Sequence, residues 1–322
     1  MIKQPTMKIS SLLLLSAAAL SFAPTASACS TCGCSLSTDW EAQGLASGTG
    51  LRYDVRYDSL NQDQMRSGTG VANPWPVAGH EDELYTHNTY ITTGVDYSPN
   101  ANWGFNLQIP FIYRTHATNG FGGVGVDDGT STAAGLGDVR LLARFQGFES
   151  EHHWGVQLGF KLPTGSTNEN FNGGTAAGAP LDRGLQLGTG TTDLLLGVFR
   201  FGKINQDFDF FAQASLQLPL HSYQAYRPGD VLSANLGLRY LGFGSVVPLL
   251  QLNGKISGRD SGDNASPDDT GGNTLYVSPG VTFPITSQLR GYVIWQLPVY
   301  QNLYGYQLAP KSILTLGAKM QF

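Results

Sequence analysis

Apolar and polar side chains alternate along most of the chain, and the alternation is clearest just after residue 50. There, four apolar residues alternate with four charged ones: Leu51, Tyr53, Val55 and Tyr57 with Arg52, Asp54, Arg56 and Asp58. A period of two is that of a β-strand, whose successive side chains point to opposite faces. Consecutive charges on one face have no place in a dry protein core. A closed wall with lipid outside and water inside can hold them, so the segment predicts a strand of a transmembrane β-barrel.

The same alternation recurs in later segments, which bring the predicted number of strands to about twelve. These segments cover residues 84–98, 102–114, 136–149, 153–163, 190–202, 207–220, 230–242, 246–257, 274–286, 289–301 and 311–322. Each is at least as long as the roughly 9–11 residues that a tilted strand needs to cross a bilayer. The predicted fold is therefore an all-β transmembrane barrel with antiparallel up-and-down strands.

The connections between these segments alternate between short and long. Those after the second, fourth, sixth, eighth and tenth segments are short, whereas long ones lie near 59–83, 115–135, 164–189 and 258–273. Outer-membrane barrels have tight periplasmic turns and longer outer loops. With an even number of strands, both termini are predicted to be periplasmic, in the outer membrane of a Gram-negative bacterium.

The last segment carries a more specific signal. Read backwards from the end, five apolar residues alternate with mostly polar ones: Phe322, Met320, Ala318, Leu316 and Leu314. A strand that ends on an exposed Phe resembles the closing strand of bacterial outer-membrane barrels, which the insertion machinery reads. The resemblance implies two partners, the outer-membrane lipid and the barrel-assembly machinery.

Composition favours the same fold and excludes some alternatives. Only 13% of the 322 residues are charged, against roughly 25% in soluble domains. The formal net charge of −5 and the lack of a basic run exclude a nucleic-acid partner. A soluble sandwich or lipocalin-like barrel would bury its apolar face. Here that face carries Trp103, Trp154 and Trp295, as expected of the aromatic girdles at membrane interfaces.

The N-terminus has the pattern of a secretory signal. Lys3 and Lys8 precede an apolar stretch, and Ala26-Ser27-Ala28 forms a small-residue cleavage site. Cleavage there would leave Cys29 first in the mature chain. The predicted organisation is a signal peptide over residues 1–28, a cysteine-containing segment with a short helix over 29–46, and the barrel over 47–322.

Three cysteines lie close together in that segment: Cys29, Cys32 and Cys34. A disulfide between two of them is expected in the oxidising periplasm. The three thiols also suit a soft metal ion such as Cu(I) or Zn, or a redox role. Lipidation of Cys29 is a third alternative, and all three stay open at this point.

Three short motifs are more specific than strand periodicity. They are Gly135-Leu136-Gly137-Asp138, Lys161-Leu162-Pro163-Thr164-Gly165 and Gly188-Thr189-Gly190-Thr191-Thr192-Asp193. Their order resembles the outer-membrane transporters of the phenol meta-degradation (MetA-pathway) family, over roughly residues 84 to 322. The resemblance implies a channel or transporter for small molecules, with hydrophobic or aromatic compounds among its solutes.

Charged residues on the inward face are the candidates for lining the pore. They are Arg52, Asp54, Arg56, Asp58, Asp138, Arg140, Arg144, Lys161, Asp193, Arg239 and Arg290. Asp138 and Asp193 could pair with Arg140, Arg144 or Lys161 on adjacent strands. Such pairs would either hold the barrel rigid or act as a selectivity filter, and the first interpretation is favoured.

The function predicted from the sequence is an outer-membrane channel for small-molecule solutes, and not an enzyme. None of the histidines stands in a nucleophile motif, and no G-x-S-x-G elbow occurs. The alternative is a structural barrel whose cysteine segment docks a periplasmic metal or electron-transfer component.

Overall fold

The computed structural model describes residues 49–72, 82–119 and 128–322, and within them the chain is almost entirely β-strand. Two short 3-10 helices cover Arg183–Leu185 and Pro267–Asp269, and no described helix is long and apolar enough to cross a membrane. The strands are β1 (Gly50–Gly68), β2 (Gly70–Val71), β3 (Asp82–Ser98), β4 (Trp103–Asn119), β5 (Asp128–Leu136), β6 (Val139–Phe145), β7 (Trp154–Leu162), β8 (Gly173–Gly174), β9 (Asp193–Lys203), β10 (Phe208–Pro219), β11 (Val231–Tyr240), β12 (Val247–Ser257), β13 (Gly272–Pro284) and β14 (Leu289–Gln321).

The strands form one closed antiparallel wall. Each long strand pairs with the next along the chain, and β1 closes the circle by pairing with both β3 and β14. β14 is 33 residues long: its first half pairs with β13 and its second half pairs with β1. Because β5 and β6 together make one crossing and β14 makes two, the described wall has twelve crossings. The predicted barrel of about 12 strands is confirmed.

The two faces of the wall differ as the alternation predicts. In β1, Tyr53, Val55 and Tyr57 are exposed on the outside, whereas Arg52 and Asp58 are buried inside. The same holds at the C-terminus, where Leu314, Leu316 and Phe322 are exposed while Ile313 and Thr315 are buried. A barrel of twelve crossings is wide enough that its interior must hold either water or large side chains. Here much of it is filled by polar side chains.

Both ends of the barrel can be recognised from the lengths of their connections. The described short turns span residues 99–102, 146–153, 204–207, 241–246 and 285–288, and we call this the short-turn end. The backbone N–H of Phe322 donates to the carbonyl of Leu51, and that of Gln321 donates to Gln288, so the C-terminus lies there too. The opposite end, called the long-loop end, carries the connections 163–192, 220–230 and 258–271.

Aromatic rings gather at the short-turn end. Phe148 stacks on Trp154 with ring centroids 4.3 Å apart and meets Phe145 at 4.9 Å, and Phe145 in turn contacts Trp103. A second group joins Phe208, Tyr240 and Phe243. Such a belt suits the level of lipid headgroups, where rings with a polar edge are favoured.

Several predicted boundaries are wrong, and each error has the same cause. β1 continues to Gly68, β4 to Asn119 and β5 begins at Asp128, so much of the predicted loops 59–83 and 115–135 is strand. The predicted gap at 302–310 is also strand, because β14 turns tightly at Gly305, whose φ is +68°. These stretches lack apolar alternation because they extend beyond the apolar band. The signal peptide and the segment 29–46 lie outside the described residues.

The wall is interrupted between β5 and β6, at Gly137 and Asp138. β6 pairs with β7, whereas β5 meets on that side residues 172–176, through the two-residue β8 and through hydrogen bonds of Asn172, Thr175 and Ala176. Residues 163–192 fill the space, and we call them the inner loop. Leu187 of this loop packs against Ile112 and Ala133 on the inward face of the wall, so the loop folds into the barrel.

Candidate functional site

The three sequence motifs converge on one polar cluster at the interruption of the wall. Lys161 Nζ lies 3.0 Å from Asp138 Oδ2 and 3.1 Å from Asp193 Oδ2. Asp138 also accepts hydrogen bonds from the backbone N–H groups of Gly165 and Thr189, at 3.1 and 3.0 Å. Lys161 and Asp193 are buried and Asp138 is half-buried, which raises the cost of breaking any one of these bonds. We call these residues the motif cluster.

The glycines of the motifs allow two segments to cross closely. A Cβ on Gly188 would lie 2.5 Å from the carbonyl oxygen of Gly165, and one on Gly165 would lie 2.7 Å from Gly188 Cα. Thr164 fastens the crossing to the wall: its Oγ1 donates to the Gly137 carbonyl and accepts from the N–H of Val139. The motifs therefore anchor the inner loop across the gap between β5 and β6.

Arg114 provides a second anchor for the inner loop. Its Nη1 donates to the carbonyls of Gly184 and Gln186, at 3.2 and 3.1 Å, and its Nε donates to Asn88. The sequence reasoning missed this residue because it placed Arg114 last in a strand. Ile112, Arg114, His116 and Thr118 share the inward face of β4, but no apolar alternation in the sequence marks this extension of the strand.

Arg183 holds the tip of the inner loop. Its guanidinium lies 5.2 Å from the ring centroid of Tyr226 and 5.7 Å from that of Tyr223, and it donates to Gln224 and to the Thr189 carbonyl. Burial lowers the pKa of Arg183 from its ordinary value. Cation–π contacts of this kind are each worth roughly 0.5–2 kcal/mol, depending on how far water is excluded.

Predicted lumen charges form a network at the short-turn end. Arg52, which is 1% exposed, donates to Asp96 at 2.9 Å, and Arg144 approaches the same carboxylate at 3.4 Å. Arg239 binds both carboxylate oxygens of Asp209. Two cations and one carboxylate thus occupy one side of this end, and a bidentate ion pair occupies the other.

The remaining predicted charges lie along β1 and at the rim. Arg56 Nε donates to Asp58 at 2.8 Å, and Thr315 Oγ1 donates to the other oxygen of Asp58. Asp54 accepts from the hydroxyl of Tyr292. Arg290 lies exposed at the short-turn rim, bonded to the Ser245 carbonyl and to Thr282, and not deep in the lumen.

A row of amide side chains runs between the motif cluster and the charged network at the short-turn end. Hydrogen bonds join Gln157 to Gln213, Gln213 to Asn235, and Asn235 to Asn253, and Ser278 Oγ donates to Asn253 at 2.6 Å. Gly197 lies between two of these strands and leaves space for the Gln157 side chain, which a Cβ would contact at 2.8 Å. The row occupies positions that an open pore would leave to water.

Two adjoining cavities remain in the described interior. The outer cavity, of about 230 Å³, lies under the inner loop and is lined by residues that include Tyr90, Ile112, Leu187 and Tyr226. The inner cavity, of about 120 Å³, is lined by residues of β4, β6, β7 and β9 to β12. Gln217, Val231 and Lys255 line both cavities, so these three residues mark the junction between them.

The structure places the predicted charges inside the barrel, except Arg290, which lies at the short-turn rim. That these charges line a transport route stays a prediction. Cys29, Cys32 and Cys34 lie outside the described residues, so the disulfide, the soft metal ion and lipidation stay predictions. Within the described part of the chain, no group of three or more His, Cys, Asp or Glu could hold a metal ion.

Comparison with known proteins supports the fold. No protein-family profile and no curated protein matches the sequence. An outer-membrane channel from Pseudomonas putida F1 is similar with a TM-score of 0.62 at 14% identity, covering 86% of this chain and 97% of that one. The Ralstonia pickettii toluene transporter TbuX gives 0.47 at 11% identity, covering 87% and 91%. A FadL homologue from Pseudomonas aeruginosa gives 0.43 at 10% identity, covering 84% and 90%.

At 14% identity, the similarity to the Pseudomonas putida channel establishes the barrel fold alone. The similarities to TbuX and to the FadL homologue are too weak, with TM-scores below 0.5, to add to it. The resemblance to the phenol meta-degradation family stays a prediction.

Proposed function

We propose that this protein is a narrow channel for small molecules in the bacterial outer membrane, with both termini at the periplasmic side. The observation that carries the proposal is the closed wall, apolar outside and polar inside, which encloses two adjoining cavities. The structural similarity to an outer-membrane channel supports it.

The size of the outer cavity favours solutes of about one ring. An apolar cavity of about 150 Å³ can hold benzene, and the outer cavity has about 230 Å³. A disaccharide or a larger compound would have to displace the inner loop, which Arg114 and the motif cluster hold. Small solutes are therefore expected to pass much faster than large ones.

The lining favours solutes that are partly apolar. Tyr90, Ile112, Leu187 and Val231 present rings and aliphatic groups to the outer cavity, beside polar side chains from several strands. Binding sites for small molecules commonly combine an apolar wall with a few polar groups that orient the ligand. Aromatic compounds with one polar substituent suit this lining, in agreement with the expectation from the sequence.

The test is transport by the purified protein. In planar bilayers we expect small, resolvable current steps, and in liposomes we expect swelling with benzyl alcohol but little with maltose. A protein that inserts into vesicles but neither conducts nor admits any solute would overturn the proposal. Equal rates for both solutes would contradict the narrow bore.

Catalysis is no part of the proposal. The motif cluster has a lysine between two carboxylates, but Asp138, Lys161 and Asp193 bond to one another and to the inner loop. None of the three is offered to a solute as a nucleophile or base, as a catalytic constellation requires. We therefore assign the cluster to holding the loop.

A further inference from the structure

Lys255 lies where the two cavities meet. It is on the inward face of β12, is 8% exposed, and contributes to the lining of both the outer and the inner cavity. Its Cα partners across the sheet are Ser233 on β11 and Thr274 on β13. A solute that moves from one cavity to the other therefore passes its side chain.

Lys255 differs from Lys161, which is the other buried lysine among the residues that the structure describes. Lys161 lies within 3.1 Å of two carboxylates, whereas Lys255 makes no ion pair or hydrogen bond with any described residue. Asp260 is the carboxylate that acts on Lys255 electrostatically, but its own oxygens accept from the Tyr226 hydroxyl and the Gly229 N–H. A buried ammonium normally has a partner, because losing water without replacing it is costly.

The inner cavity adds a second cation and no acidic group. Its described lining contains Arg140 and Lys255 but no Asp or Glu, and the other polar groups are Gln and Ser side chains. Arg140 donates to Gln217, which in turn donates to Asp193. Since Asp138 and Asp193 share the single charge of Lys161, Arg140 balances the motif cluster, and among the described lining residues Asp260 is left to offset Lys255 without bonding to it.

The described lining of the outer cavity holds more cations than carboxylates: Arg114, Arg183 and Lys255 against Asp138 and Asp260, of which Asp138 already pairs with Lys161. Arg114 and Arg183 both line it, and both bond to carbonyls, amides and tyrosine rings without an ion pair to any described carboxylate. An anion that enters from this side meets an excess of cations in a space partly shielded from water. Electrostatic focusing of this kind raises the local concentration of ions of opposite sign.

We infer that the junction of the two cavities is a binding site for the carboxylate of a small organic acid, held by Lys255 with Arg140 beyond it. A single ring attached to that carboxylate would lie in the outer cavity against Tyr90, Ile112 and Leu187. The inference rests on the proposed channel function and narrows its solutes to aromatic carboxylates. Charge rings of one sign select ions in other pores by the same physics.

Ion selectivity in planar bilayers tests this site. The reversal potential of the wild-type protein is measured in a gradient of potassium benzoate. It should indicate a benzoate permeability at least about fivefold above that of potassium. The reason is that one charge at short range attracts an anion by roughly 1 kcal/mol even in water, which corresponds to about fivefold. Lys255→Gln should lower this ratio by about fivefold, and Lys255→Arg should retain it. Lys311→Gln removes an exposed lysine paired with Asp63 outside the lumen and is the matched control, with no change expected.

A second variant keeps the test independent of folding defects at position 255. Ser233→Asp places a carboxylate directly across the sheet from Lys255 and should abolish the preference while the lysine stays. Block of the current by benzoate should weaken about fivefold in both variants, and the effect of benzyl alcohol should not change. A conducting wild-type channel that prefers potassium, or unchanged selectivity in folded Lys255→Gln and Ser233→Asp, would overturn the inference. A wild-type barrel without any conductance would instead overturn the proposed function.

Discussion

Asp138→Asn should release the inner loop without changing the shape of the side chain. The carboxylate accepts from Lys161 Nζ, from the N–H groups of Gly165 and Thr189, and from the Thr189 hydroxyl. An amide at this position must turn its NH₂ toward one of these donors. Hydrogen bonds to a charged group are worth about 1.5–3 kcal/mol each, and breaking one partner of a buried pair costs about 3–5 kcal/mol.

We take about 3 kcal/mol as the loss, since lumen water can replace some of the lost contacts. That energy increases the population of the released loop by about two orders of magnitude. Arg183 is the single Lys or Arg in residues 163–192, so tryptic cleavage there reports release. We expect Asp138→Asn to be cut about 100-fold faster than wild type and to conduct more current.

Asp230→Asn is the matched control. Asp230 pairs with Arg227 at 3.0 Å in a half-exposed position at the long-loop end, where an ion pair is worth about 0–1 kcal/mol. Its cleavage should stay within a few-fold of wild type. Wild-type cleavage rates in a folded Asp138→Asn barrel would refute the claim that the motif cluster holds the loop.

Three further outcomes follow from single positions. Gly188→Ala places a Cβ 2.5 Å from the carbonyl oxygen of Gly165. This should destabilise the bound inner loop by about 1–3 kcal/mol and raise tryptic cleavage at Arg183 at least severalfold. Gly70→Ala, whose Cβ would lie 3.7 Å from the nearest atom, should leave that cleavage unchanged. Phe322→Ala removes an edge-to-face ring contact at 5.6 Å to β1 and should lower the yield of heat-modifiable folded barrel in membranes; an unchanged yield would contradict a role for the terminal ring. Burial raises the pKa of Asp260 above its ordinary value of about 4. The folded state therefore holds this proton more tightly than the unfolded state does, and the free energy of unfolding falls as the pH rises above about 4. Thermal unfolding should therefore show wild type losing stability relative to Asp260→Asn from pH 4 to 7, and parallel pH profiles would contradict this.

The faces of the strands could be predicted from the sequence because period two determines them directly. Each of Arg52, Asp58 and Lys161 lies on the inward face, as the alternation indicates. The alternation cannot indicate depth along the barrel axis. It therefore could not distinguish Arg290 at the rim from Arg52 in the interior.

The course of the inner loop could not be predicted, for a different reason. Its contacts run through backbone groups, such as the N–H of Thr189 and the carbonyls of Gly184 and Gln186, which carry no sequence pattern. The motifs were recognised, and Asp138 and Asp193 were expected to pair with a lysine or arginine on an adjacent strand. Only the structure reveals that one lysine serves both carboxylates and that Gly188 permits the crossing.

The central claim is that apolar side chains meet lipid and that polar ones face an enclosed lumen. Neighbouring residues on two strands test it most directly: Leu232 and Leu236 are exposed on the outer face of β11, whereas Ser215 on β10 and Ser233 on β11 line the inner cavity. Each would be replaced by a spin-labelled cysteine, in a protein in liposomes whose three native cysteines are serine. Labels at the leucines should collide with oxygen dissolved in lipid, and labels at the serines should be shielded from it. Leucine positions accessible to a water-soluble nickel complex, with oxygen reaching the serines equally well, would contradict the account.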